Sequence, residues 1–143
     1  MKANNFTLPS TNKTNFSLKD ILGKYVVLYF YPKDDTPGCT AEACNLRDNY
    51  TELLIQGFEI LGVSPDNEAK HQKFIDKYEL PFDLLADIDH NIAEAYGVWV
   101  EKNMYGRKYM GIARTTFIID ESGNIEEIIS KVKTKEHSSQ ILK

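Results

Sequence analysis

An α/β fold with a mixed central β-sheet and helices on both faces is predicted for this chain of 143 residues. Three observations predict it. Tyr25-Val26-Val27-Leu28-Tyr29-Phe30-Tyr31 is an unbroken apolar run, β-branched and aromatic, bounded by Gly23 and Pro32. Such a run fits a central strand buried on both faces. Helical and strand-like segments then alternate as far as Tyr96, which implies βαβ units and a parallel sheet core. Glu121-Ser122-Gly123-Asn124 is a turn between two strand-like runs, so the last strands return antiparallel.

Each element can be justified in order. Phe6 to Leu8 reads as a short strand, separated from Phe16-Ser17-Leu18 by the polar, turn-like stretch Ser10 to Asn15. After the Tyr25 to Tyr31 strand, Pro32 to Gly38 is a loop and about Cys39 to Leu54 a helix. Phe58 to Val63 is a second buried strand, and Ser64-Pro65-Asp66 a strand-to-helix turn with capping residues. Asn67 to Tyr78 is amphipathic, Phe82 to Leu85 a short strand, and Ile88 to Tyr96 a short helix closed by Gly97. Thr115 to Ile119 and Ile125 to Ser130 form the antiparallel pair, and Ser138 to Lys143 begins a terminal helix. The order β-β-α-β-α-β-α-β-β-α resembles a thioredoxin-like fold. No repeat or low-complexity stretch divides the chain, so residues 1–143 read as one domain.

Composition narrows the function. A content of 42% hydrophobic and 27% charged residues is that of a globular protein. A chain of this length buries roughly 68% of its unfolded surface and needs neither disulfide nor metal for its core. With 17 basic and 21 acidic residues the net charge is −4, against a nucleic-acid partner. The longest apolar run falls far short of the ~20 residues of a membrane-spanning helix. Met1 to Phe6 lacks the apolar core of a signal peptide. The expectation is a cytoplasmic protein with no membrane partner.

There are only two cysteines, Cys39 and Cys44. That is few for a secreted disulfide scaffold. Pro37-Gly38 precede Cys39, and proline suits the first turn of a helix. Cys39 therefore meets the free N–H groups and positive dipole of a helix start, which favour an anion. The apolar stripe Ala43, Leu46, Tyr50, Leu53, Leu54 extends back to Cys39, so this thiol faces the sheet. Cys44 lies about 140° around the helix, on the solvent-facing side of Arg47, Asp48 and Thr51. Five residues rise about 7.5 Å with a sideways chord of about 4.3 Å, which sets the Cα atoms roughly 8.6 Å apart. A disulfide needs less than about 7 Å. The two thiols can join only if the first turns of the helix melt. The spacing suits a thiol that is oxidised first and resolved second, through a sulfenic acid.

Activation of the thiol is not enough. Lowering a thiol pKa from about 8.5 to about 6 raises the thiolate fraction at pH 7 about 30-fold. Intrinsic nucleophilicity falls about 13-fold over the same shift, for a net gain of about twofold. Hydrogen-bond donors and a cation are needed beside Cys39 as charge moves to a leaving oxygen. The Thr36 hydroxyl and the N–H groups of Gly38 and Cys39 are local candidates; the cation must come from elsewhere.

Pro32-Lys33-Asp34-Asp35-Thr36-Pro37-Gly38-Cys39 matches the peroxiredoxin pattern P-x-x-x-T-x-x-C. Thr40 to Cys44 and Leu46-Arg47-Asp48-Asn49 resemble the bacterioferritin comigratory protein branch, also called peroxiredoxin Q. Leu61 to Ser64, Leu84 to Asp87, Tyr96 to Trp99, Gly111 to Asp120 and Val132 to His137 extend the resemblance over nearly the whole chain. The resemblance implies a peroxidatic Cys39, a resolving Cys44, and a Thr36 that hydrogen-bonds thiolate and peroxide. It makes Pro32 a shield of the pocket that Gly38 also lines, and Arg114 the missing cation. It implies hydrogen peroxide and organic hydroperoxides as substrates, thioredoxin or a similar dithiol as reductant, an intramolecular disulfide, a monomer, and no metal or organic cofactor. The chain departs from the family pattern in its short N-terminus, without the usual Ala-Pro before the first Phe, and in a short terminal helix.

Other residues invite plainer readings. His71 shares a helical face with Phe74, Ile75 and Tyr78 and reads as a core-edge histidine. Asp34-Asp35 reads as a solvated loop, Arg47 as a structural ion pair, and Trp99, Tyr105 and Tyr109 as core or hairpin packing. Cys39 and Cys44 have the first-pair spacing of a zinc site, but His71, His90 and His137 are scattered with no second ligand pair. The alternatives to a peroxidase are a peroxide sensor and a thiol–disulfide oxidoreductase on the same fold. The Cys-x-x-x-x-Cys spacing argues against the latter, whose motif is Cys-x-x-Cys.

Overall fold

The apolar Tyr25–Phe30 run forms β3, the middle strand of a five-stranded sheet. The computed structural model describes residues 2–142 apart from 4, 12–14 and 22. Part of the expected Ser10 to Asn15 turn, and Lys143, thus lie outside the described residues. Before β3 come β1 (Thr7–Pro9) and β2 (Asn15–Ser17), a separate antiparallel pair. After it come α1 (Pro37–Asp48), α2 (Tyr50–Ile55), β4 (Phe58–Ser64), α3 (Glu68–Tyr78), β5 (Asp83–Ala86) and α4 (Asn91–Ala95). The chain ends with β6 (Trp99–Met104), β7 (Arg107–Ile112), β8 (Thr115–Ile119), β9 (Ile125–Ile129) and α5 (His137–Ile141).

The sheet order is β5-β4-β3-β8-β9. β3, β4 and β5 run parallel, and β8 and β9 are antiparallel additions. The mixed thioredoxin-like sheet is as expected. One apolar layer packs Val27, Tyr29, Ile60 and Leu84 of the sheet against Ala43, Leu46, Leu53, Phe74 and Ile141 of the helices. The opposite layer packs Leu28, Phe30, Val63 and Phe117 against Phe6, Leu8, Ala93 and Val98. Alternate residues of β3 serve the two layers, which is why every position from Val26 to Phe30 is apolar. Among the described residues no helix is long and apolar enough to cross a membrane.

Three readings are corrected. The helix expected from Cys39 to Leu54 is two, because Asn49 leaves helical geometry and its side chain donates to the Asn45 carbonyl at 2.9 Å. A side-chain donor of this kind competes with the helix's own ladder. Leu54, placed on the buried stripe, is exposed in consequence of the new phase. Secondly, β6 and β7 form a hairpin that the apolar pattern does not announce, since most of its positions are exposed. Tyr105 and Gly106 make its turn with φ of 52° and 79°, the left-handed pair that two-residue hairpins favour. Tyr105 and Tyr109 are exposed there, while Trp99 stacks on His90 at 3.9 Å. Thirdly, Asp34 is buried, not solvated.

Candidate active site

Local chemistry sets the first part of the site. Thr36 is the extended N-cap residue of α1, with Pro37 at the helix start, so Cys39 enters in the first turn as expected. Cys39 is buried and joins the apolar layer with Tyr29 and Ala43. Cys44 is half-buried on the same helix, and both are free thiols.

Sheet topology supplies the cation. Phe30 pairs with Thr115 in the β3–β8 register, so Arg114 arrives where β3 hands over to the loop before α1. Its Nη2 donates to the Cys39 sulfur at 3.3 Å and its Nη1 to Glu42 Oε1 at 2.7 Å. Gly38 makes room: a Cβ there would stand 3.0 Å from Arg114 Nη2. Burial disfavours the Arg114 charge, but Cys39 and Glu42 outweigh it and hold the guanidinium above its ordinary pKa. The electrostatic need identified from the sequence is therefore met by a residue 75 positions away.

Glu42 is a residue of this site that the sequence does not single out. It is fully buried on the helix face of Cys39, three residues on. That i,i+3 position on an otherwise apolar stripe was its available signal. Burial pushes its carboxyl up to about 7, against the pull of Arg114. Among the described residues its second oxygen has no hydrogen bond; it lies 3.5 Å from His137 Nε2. His137, also missed, contacts Thr116 Oγ1 at 2.7 Å and Gln140 Oε1 at 2.8 Å. Burial lowers the pKa of its imidazole; the Gln140 bond opposes this and Arg114 adds to it.

Thr36 departs from expectation. Its hydroxyl donates to the Lys33 carbonyl at 3.0 Å, not to the Cys39 sulfur. With its hydrogen so directed, the oxygen keeps lone pairs able to accept from a hydroperoxide O–H. Pro32 is half-buried at the exit of β3, at the other end of the same loop. Arg47 pairs with Asp48 and donates to the Tyr78 carbonyl at 2.8 Å, the structural role read for it.

The AhpC/TSA family model matches residues 1–128. Peroxiredoxin Bcp of Bacillus subtilis is 48% identical over 141 residues, covering 99% of this chain and 90% of the relative. Among solved structures, the PrxQ of Xylella fastidiosa, as a cysteine-to-serine mutant, has a TM-score of 0.93 at 33% identity, covering 99% of this chain and 91% of its own. The bacterioferritin comigratory protein of Xanthomonas campestris, studied for its alkyl peroxide reduction, has a TM-score of 0.90 at 36% identity, covering 96% and 87%. A thiol beside a guanidinium, on a scaffold shared over nearly its full length with these relatives, leaves one assignment: the chain belongs to the AhpC/TSA family, among its Bcp and peroxiredoxin Q members, and is a thiol-dependent peroxidase.

Proposed function

We propose that Cys39 is the peroxidatic residue and Cys44 the resolving one. The observation that carries this reading is the 3.3 Å approach of Arg114 Nη2 to the Cys39 sulfur. The Cys39 thiolate attacks one peroxide oxygen. The O–O bond breaks, the other oxygen leaves and takes a proton as water or alcohol, and Cys39 becomes a sulfenic acid. Arg114 stabilises the negative charge that passes from sulfur to the leaving oxygen. Thr36 accepts from the peroxide O–H, Gly38 leaves clearance for Arg114, and Pro32 shields the pocket. Cys44 then attacks the sulfenic sulfur, water departs, and an intramolecular disulfide forms. Both thiols belong to α1, so the turns between them unwind for this step.

Hydrogen peroxide and organic hydroperoxides are the substrates of this reading; the alkyl peroxide reduction of the Xanthomonas campestris relative supports the second. The disulfide is returned to dithiol by thioredoxin or a similar dithiol protein. The enzyme works as a monomer in the cytoplasm. Intact mass after one equivalent of hydrogen peroxide tests the scheme. The protein loses about two mass units as an internal disulfide, and Cys44→Ser gains about 16 as a sulfenic acid. Steady turnover in Cys39→Ser overturns it.

A further inference from the structure

A buried titratable cluster outside the thiol site involves the same loop. His71 of α3 is wholly buried. Its Nε2 lies 2.9 Å from the Leu85 carbonyl, which can only accept, so Nε2 carries hydrogen. Its Nδ1 lies 2.6 Å from Asp34 Oδ2. The other oxygen of that carboxyl accepts from the Tyr31 O–H at 2.5 Å. One proton is thus held between His71 Nδ1 and Asp34 Oδ2. With that one proton shared, no carboxyl oxygen or ring nitrogen of the pair is left with a lone pair facing another.

The backbone of Asp34 is tied as well. Its N–H donates to Asp66 Oδ2 at 2.7 Å, and the Ser64 hydroxyl donates to the same oxygen at 3.0 Å. Lys70 stands 3.8 Å from the other Asp66 oxygen. Asp34 lies midway between Pro32 and Thr36, and Thr36 directs its hydroxyl to the carbonyl of Lys33, the residue before Asp34. Whatever holds Asp34 holds the geometry of Thr36 relative to Cys39.

We infer that His71 is a positioning residue of the peroxide-reducing site: bonded through Nδ1 to Asp34 and through Nε2 to the Leu85 carbonyl, it clamps the loop that presents Thr36 to Cys39. The inference rests on the reading of Cys39 and Thr36 given above. It gives the buried Tyr31–Asp34–His71 cluster a part in the peroxide step and none in the reduction of the disulfide.

The test compares Asp34→Ala with Asp34→Asn. In the second, the amide can donate to Nδ1 of a neutral His71 and accept from Tyr31, which keeps every bond without the charge. The rate constant for oxidation by hydrogen peroxide is expected to fall about 10- to 100-fold in Asp34→Ala, the cost of a small misplacement of a catalytic group. It should return to within about threefold in Asp34→Asn. Reduction of the preformed disulfide by thioredoxin should be unchanged in both. Nitrogen NMR of the wild-type protein, which needs no variant to fold, should find the His71 Nε2 carrying hydrogen and its Nδ1 in a hydrogen bond with the Asp34 carboxyl. A His71 Nδ1 free of any hydrogen bond in the wild type, a folded Asp34→Ala with the wild-type peroxide rate, or an Asp34→Asn as slow as Asp34→Ala would each overturn the inference. Loss of peroxide consumption by the wild type itself would instead overturn the underlying reading of the site.

Discussion

Two buried carboxyl–histidine clusters flank the start of α1, and they are built differently. In the Asp34 cluster both oxygens and both His71 nitrogens have close partners. In the Glu42 cluster one oxygen is bonded to Arg114, while the other has no hydrogen bond among the described residues and stands 3.5 Å from His137. A buried polar group left unpaired costs about 1–3 kcal/mol. The satisfied cluster holds the loop that must keep its shape. The unsatisfied one lies in the helix that must unwind for Cys39 to reach Cys44. On the proposed cycle, the element that opens is thus held by an incomplete network, and the element that stays is held by a complete one.

The largest effect expected is on chemistry. Arg114→Met should slow oxidation of Cys39 by hydrogen peroxide about 100- to 1000-fold, measured by stopped flow, since it removes the guanidinium bonded to the sulfur. A variant within threefold of wild type would remove that cation from the mechanism and with it the reason for the Glu42 cluster.

A smaller effect is expected on stability. The Glu42 carboxyl is raised from 4.5 to about 7 in the folded chain. Between those values the folded state binds the proton more tightly than the unfolded one. Its contribution is therefore fully present below pH 4.5 and is lost as pH rises through 7. Urea unfolding should show stability falling across that window by up to about 3 kcal/mol. Glu42→Gln should flatten this part of the profile. An unchanged slope in the variant would mean that Glu42 is not the group that titrates there, and the contrast between the two clusters would fail.

The smallest effect concerns the link between α1 and α5. Asn45 accepts from the Ser138 N–H at 2.7 Å and donates to the Lys135 carbonyl at 3.0 Å. Asn45→Ala should lower stability by about 1–2 kcal/mol. It should also speed conversion of sulfenic acid to disulfide several-fold, followed by quenched intact mass. Equal destabilisation with no change in that rate would show that α5 does not restrain the opening of α1.

Much of this architecture is legible residue by residue. The Tyr25 to Tyr31 run could only be a doubly buried strand, and Pro37-Gly38-Cys39 could only open a helix with its thiol in the first turn. The β6–β7 hairpin was not legible, because a ribbon exposed over most of its length has no apolar alternation to display; only Gly106 marked its turn. Asp34 read as solvated because acidic loop residues usually are. Nothing local shows that Tyr31 and His71 converge on it. Glu42 was visible as a lone charge on an apolar stripe, yet its meaning depends on Arg114.

What is local was therefore legible: the strands of the central sheet, the helix start at Cys39, and two thiols on one helix too far apart to bond while it is intact. Backbone periodicity and helix geometry act over a few residues, so such features need no partner. The tertiary structure alone decided which charges meet. Arg114 reaches Cys39 across 75 positions because β8 pairs with β3 and sets Thr115 beside Phe30. His71 reaches Asp34 across 37 because α3 packs over β5. Contacts at that separation are set by the order of strands in the sheet, which no local pattern encodes.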